Sequence, residues 1–394
     1  MDKLDQLILA HASRPDLVSN VHLTDMNQLR PLNDKLRFFC PLDNGRHESM
    51  GMGTASLGIL DRLPTEIVIT ILMATDVRSL TDLRAVNKYS RAFVDCLPVY
   101  KEVVKYTPDV LRAVLICGVA RRFSIEHLYT VLTDPTCGHC SDFGWLLYLP
   151  ACVRACYSCL ADRDEVLPLT IPEAQEMYGL DKETLDGLPT IRSLPIQSPF
   201  IHSMALLDTP SVVEAAVTHH GSREAMQDRL EKTYDLLREH IRKDPSLEAH
   251  YRLPSRLYQD AHWMRATVCA PWIDIRNRRV DWGVSCTRCA WRGITNPILT
   301  QPMYLAHART CALTRALLRS VAPEEAEEAG IEDGEPIWDW EVATWPLYAP
   351  KTEKEIWNPH LVVRVAMGME PSEAVECVSR LGFWEQGVYW SVTG

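Results

Sequence analysis

LDRLPTEIVITILMATDVRSLTDLRAVNKYSR, residues 60–91, is the stretch whose reading decides how the chain begins to fold. Its apolar residues Leu60, Leu63, Ile67 and Ile71 recur at steps of three and four, the period of one helix face. Pro64 suits a first helical position, where a backbone N–H would be unpaired anyway. Glu66 then puts an acid in the first turn, near the positive end of the helix dipole. A break at Asp76 precedes a second apolar series, Leu80, Leu83 and Val86, and a third helical run carries Phe93 and Leu97. Three short helices in roughly forty residues cannot bury all their apolar faces against one another, because small domains bury too little of their surface. The surplus predicts a cover, either the rest of this chain or a partner.

The order Leu63-Pro64-x-Glu66-Ile67, then Ile71-Leu72, Asp76, Ser79-Leu80, Leu83-Arg84-Ala85-Val86-Asn87-Lys88 and Arg91, resembles an F-box. The resemblance implies a helical module, residues 57–98, that docks on the Skp adaptor (S-phase kinase-associated protein 1) and through it on a cullin-RING ubiquitin ligase. It further implies that Leu60, Leu63, Pro64, Ile67, Ile71, Leu72, Leu80, Leu83 and Val86 form the docking face or the small core behind it. The alternative is an ordinary helical hairpin buried in a larger domain.

Outside this module, 394 residues leave room for two or three domains, and 46% hydrophobic with 24% charged residues is ordinary for a folded protein. A formal net charge of −11 argues against a broad phosphate-binding surface, since nonspecific nucleic-acid affinity comes from neutralising phosphates with Lys and Arg. The start, MDKLDQLILAHAS, lacks the basic region and long apolar core of a signal peptide. The most apolar run, near 110–120, contains Arg112 and is far short of a membrane span. With no export signal, thirteen cysteines suggest metal ligation or buried thiols more than disulfides, and a cytoplasmic or nuclear setting.

Residues 1–56 have little periodicity and read as an irregular lead. After the helical module, 99–210 holds two helical runs (108–119 and 124–132), a cysteine-rich segment (137–159) and a short helix at 172–178. Within 211–321, helices are expected at 211–219, 222–243 and 302–321, and a hairpin over 266–284 with its turn at Arg276-Asn277-Arg278. An acidic linker, 322–336, then leads to a Trp-rich helical region, 337–394. The expected class is therefore mainly α with a minor β-hairpin: a three-helix module followed by an irregular, zinc-stabilised α+β region.

The cysteines are paired along the chain. Cys137-Gly138-His139-Cys140 and Cys156-Tyr157-Ser158-Cys159 are two CxxC knuckles with fifteen residues between them, at the lower edge of the spacing for four-cysteine zinc sites. A CxxC turn lets two thiolates reach one metal, and two such turns complete a tetrahedron. Cys286-Thr287-Arg288-Cys289 and His307-Ala308-Arg309-Thr310-Cys311 form a second set, with His307 and Cys311 at i and i+4 on the expected helix. A hairpin knuckle followed by a helix supplying two ligands resembles a zinc finger with three cysteines and one histidine. Composition alone gives about 0.4 CxxC pairs, whereas the chain has three. Cys152, four residues before Cys156, and His139, inside the first knuckle, are spare potential ligands. Complete four-donor sets leave no open position for water, so the two candidate zinc ions would be structural and not catalytic. Buried, unmetallated thiols are the alternative at both places.

Two fainter resemblances are present. Thr170-x-x-Glu173-Ala174 with Tyr178, Leu180 and Leu185 is similar to the segment after the zinc site in the family of xeroderma pigmentosum group A DNA-damage recognition proteins, implying a zinc-plus-helix shape. Val365-Ala366-Met367-Gly368-Met369 resembles the first turn of a ubiquitin-associated domain, against the simpler reading of a helix pair packed on Trp338, Trp340 and Trp345. No phosphate-cradling glycine loop, nucleophile elbow or HExxH motif occurs. The expected role is a non-catalytic substrate receptor of a Skp–cullin–F-box ligase, holding an unidentified target protein. A second reading is a nucleic-acid-binding zinc protein using Arg276, Arg278, Arg279, Arg288 and Arg292; a third is an adaptor-binding protein acting outside any ligase.

Overall fold

Short polar side chains punctuate the opening stretch. The Asp76 side chain accepts from the Ser79 amide at 2.9 Å and starts helix Val77–Val86; Asn87 accepts from the Ser90 amide at 2.8 Å and starts helix Lys88–Cys96. Each satisfies a donor that the first helical turn leaves open. Upstream, a 3₁₀ turn Gly58–Arg62 leads into helix Thr65–Ala74, with Pro64 as its N-cap, one residue earlier than the sequence suggests. The structure, a computed structural model, describes residues 3–11, 18–20, 36–40, 56–163, 166, 168–194, 204–245, 266–286, 289 and 298–331. The expected features at 337–394, Arg288 and Arg292 lie outside them.

The three helices do not stand alone. Val68, Leu72, Val77, Leu80, Val94 and Leu97 are buried, and the core continues through Tyr100, Val103, Leu111, Val114, Ile125 and Leu128. Those residues sit on helices Pro98–Tyr106, Pro108–Ile116 and Ile125–Thr133, the first two entered through a proline and the third capped by Ser124. Arg84 grips Asp95 through two bonds, 2.6 and 3.0 Å, fastening the second helix of the module to the third.

Strands β2 (Leu146–Tyr148), β3 (Val153–Ala155) and β7 (Thr267–Cys269) form an antiparallel sheet in the order β3-β2-β7. β8 (Trp272–Asp274) and β9 (Arg279–Asp281) make a hairpin with its turn where expected, but shorter than 266–284: residues 267–269 pair with β2 instead, and Val284 pairs with Asn20. Its turn contains Arg278 at φ 51°, a left-handed conformation that costs a non-glycine residue on the order of 1 kcal/mol. Cys152, the spare potential ligand four residues before Cys156, lies in the β2–β3 turn at φ 51°, with extended residues between the two.

One buried cation ties this region together. Arg154, on β3, is 2% exposed and donates to five backbone carbonyls: Val131 (2.7 Å), Leu132 (3.1 Å), Gly144 (2.6 Å), Ala270 (2.7 Å) and Pro271 (2.6 Å). Burial draws its pKa down to about 9, which leaves the guanidinium charged at neutral pH. The fork geometry of its five N–H donors suits this arrangement.

The irregular lead and acidic linker expected from the sequence are, where described, structured parts of the same region. Helix Lys3–His11 packs on helices Gln301–Thr310, Ala312–Val321 and Pro323–Glu328, burying Leu7 and Ile8 with Tyr304, Leu318 and Ala326. Strand β1 (Val18–Asn20) pairs antiparallel with β10 (Val284–Cys286). The Asp5 carboxylate receives Arg309 at 2.9 and 2.7 Å.

A second compact unit is centred, among the described residues, on 160–193 and 204–245. It holds an antiparallel sheet, β4-β6-β5, made of Pro168–Thr170, Ala205–Asp208 and Thr190–Arg192. Helices Ile171–Tyr178, Lys182–Asp186, Thr209–His220 and Arg223–Lys243 accompany the sheet. Thr170 and Glu173 form a reciprocal capping box, and Ala174, Leu185, Leu207, Val212 and Ala216 fill the core. The protein is thus mainly helical with small antiparallel sheets, richer in β structure than the single expected hairpin.

Candidate metal centres and an apolar face

The first knuckle follows helix Ile125–Thr133, and the second leaves β3 with Cys159 on the short helix Tyr157–Asp162. The Gly138 amide donates to the Arg154 carbonyl at 2.8 Å, and a Cβ on Gly138 would stand 2.5 Å from Val153 Cγ1. Any larger residue there would force the Val153 side chain to shift. Cys137, Cys140, Cys156 and Cys159 place their sulfurs within 4.8 Å of one another, with Cys140 and Cys156 at 3.6 Å. Around a metal about 2.3 Å from each sulfur, a tetrahedral edge is about 3.8 Å, so the spacing fits. Backbone amides face the sulfurs as well: Cys156 donates to Cys137 Sγ at 3.3 Å, and Cys159 to Cys156 Sγ at 3.4 Å. Cys152 and His139 are not part of this group.

The thiols compete for charge. Hydrogen bonding from Cys156 holds Cys137 down to about 4, while the same bond pushes Cys156 up; burial pushes Cys140 up to about 11. Crowded thiolates without a cation repel, so one of these three takes the charge and its neighbours keep their protons. A divalent cation is what would let them ionise together.

The second group is Cys286, Cys289, His307 and Cys311, again within 4.8 Å. Cys286 ends β10, while His307 and Cys311 come from the helical segment beyond. Cys289 Sγ lies 3.5 Å from His307 Nε2 and 3.6 Å from Cys311 Sγ. The expected helix over 302–321 is two helices broken at Cys311, which ends Gln301–Thr310 and precedes Ala312–Val321 with extended backbone. The Cys311 amide still bonds the His307 carbonyl at 2.9 Å, so the two donors stand one turn apart on the same side, as their i, i+4 spacing implies, and the chain breaks only after Cys311. Hydrogen bonding from Cys286 draws Cys311 down to about 4, the same bond raises Cys286, and burial raises Cys289. Buried Thr314 supports Cys286 Sγ from 3.4 Å. Both groups, rich in soft sulfur donors, could hold a metal ion.

The nine apolar positions singled out at 60–86 divide by burial. Leu63, Ile67 and Ile71 are 40%, 48% and 42% exposed, and Val86 and Pro64 are exposed too. Leu60 and Leu83 are half-buried. Leu72 and Leu80 belong to the core and present no docking surface. Exposed Ile59, four residues before Leu63, extends the apolar set in the N-terminal direction and was not marked by the sequence reading. Arg154 and the Asp5–Arg309 pair also escaped that reading, since a lone arginine in Val153-Arg154-Ala155 has no periodicity and a pairing across 304 positions leaves no local pattern.

No protein-family model, curated protein or solved structure matches this chain.

Proposed function

We propose that this protein is an F-box-type substrate receptor: its 57–98 module docks on the Skp adaptor, and the remainder holds a target protein for a cullin-RING ubiquitin ligase. The observation that supports this reading most is the row Leu63, Ile67 and Ile71. Ile67 and Ile71 are exposed on one side of a short helix whose other side, Val68 and Leu72, is fully packed, and Leu63 is exposed just ahead of it, where the 3₁₀ turn ends. Isolated exposed aliphatics are ordinary, but a helical row of them reads as an interface. The chain supplies no reacting group in this scheme; it raises the effective concentration of target lysines near the charged ubiquitin-conjugating enzyme.

Zinc is the metal proposed for both donor sets, because Cys₄ and Cys₃His tetrahedra are its preferred structural surroundings. At each site the four protein donors would complete the coordination, leaving scaffold and no catalyst.

The test is co-purification of the purified chain with the Skp adaptor and the cullin. Intact protein is expected to retain both, and Leu63→Asp plus Ile67→Asp to lose both while keeping its melting temperature. Failure of the intact, folded protein to bind the adaptor would sink the reading. Adaptor binding without the cullin would place the protein outside the ligase.

A further inference from the structure

The β8–β9 hairpin ends in Ile275-Arg276-Asn277-Arg278, all exposed. Asp274, buried beneath, commits its carboxylate to the turn itself. Its Oδ1 accepts from the amides of Arg276 (3.1 Å) and Asn277 (3.2 Å), and its Oδ2 from the Asn277 side chain (2.6 Å). Arg279 is drawn back toward the same acid, at 3.5 Å. Tyr106 Oη donates to the Arg278 carbonyl at 3.3 Å, and Lys105 Nζ stands 3.0 Å from that phenol oxygen. The ammonium of Lys105 is thus linked through the Tyr106 phenol to the backbone of the turn that carries Arg276 and Arg278. Among the described residues, no ion pair joins Arg276 or Arg278 to a carboxylate.

The backbone sharpens the point. Arg278 keeps a left-handed φ of 51°, where asparagine or glycine is far more at ease. The turn is braced from two sides, so it tolerates the strain, and the strain puts an arginine where the backbone prefers another residue. An outlier held this firmly points to a use for the side chain.

We infer that this hairpin tip is a recognition site for an acidic, extended segment of another protein, with Lys105, Arg276 and Arg278 meeting its anionic groups and Ile275 an apolar neighbour. Nucleic acid fits less well. Duplex-binding surfaces neutralise about 6–10 phosphates, whereas three cationic side chains are grouped here on a chain of net charge −11. The inference does not depend on adaptor docking, and it is tested on the full chain without the adaptor.

Fluorescence anisotropy with short labelled peptides provides the test: one with glutamates flanking a leucine, one with phosphoserines in their place, one with glutamines. A single-stranded oligonucleotide of equal charge is the competitor. The glutamate or the phosphoserine peptide is expected to bind and the glutamine peptide not to; the tighter of the first two identifies the anion source. Arg276→Gln plus Arg278→Asn should weaken binding at least about tenfold, without a lower melting temperature, because asparagine tolerates the left-handed backbone. Should the double variant misfold, Arg276→Gln alone carries the test, since its side chain takes no part in the turn's hydrogen bonds. Equal binding of the glutamine peptide, no binding of either anionic peptide, unchanged affinity in the variants, or tighter binding of the oligonucleotide would each overturn the inference.

Discussion

At the scale of single residues, Arg154 is the position where a small change should matter most. Five carbonyls, four of them in buried bonds, accept from its donors, and removing those donors would leave acceptors without these partners in a dry interior. Arg154→Met is expected to cost more than about 3 kcal/mol in denaturant unfolding. Arg154→Lys should recover part of that, because an ammonium has three donors to offer five acceptors. The opening helices give a complementary contrast. Leu72→Ala should cost about 2–5 kcal/mol, whereas Ile67→Ala should stay within about 0.5 kcal/mol, although the two residues are equally apolar in sequence. Apolar spacing showed where the helix lies, but it could not say which side the rest of the chain would cover: the periodic residues Leu63, Ile67 and Ile71 are exposed, and Val68 and Leu72 are buried. That depended on packing partners at Tyr100, Val103 and Ile125, which the local pattern does not encode.

At the scale of elements, the cysteine knuckles were legible because their chemistry demands close spacing along the chain, and the two donor sets came together as read. The helix at 302–321 was legible only in outline. Its apolar period runs on through Cys311, where the extended ψ divides it into two helices. The helix Lys3–His11 was missed altogether, since nine residues give too few turns to establish a period and its partners lie some 300 positions away. Its attachment yields a prediction with a definite sign. The hydrogen bonds from Arg309 hold the Asp5 carboxyl below its usual value. The resulting stability is therefore present above the ordinary carboxylate range, about 3.9, and is lost as pH falls through the lowered value. Hydrogen exchange should show amides 3–11 losing protection in that acid window. Asp5→Asn should loosen them at neutral pH; unchanged protection in that variant would mean that the apolar contacts of Leu7 and Ile8 suffice.

For the whole molecule, two donor sets predict two metal equivalents, measurable by elemental analysis of the purified protein. Cys140→Ser should remove one and Cys289→Ser the other, and each loss should lower the melting temperature, because binding to a preformed site is folding free energy. Chelation should lower it further than either variant. A full-length protein holding no metal would return both clusters to packed thiols. The Asp5–Arg309 pair also bears on how the chain is made. A ribosome adding about 5–20 residues per second needs some 15–60 s to traverse the 304 positions between them. During synthesis the first helix emerges long before the surface that receives Leu7 and Ile8 exists. It must wait, solvated or chaperoned, until the region that follows residue 284 has been translated.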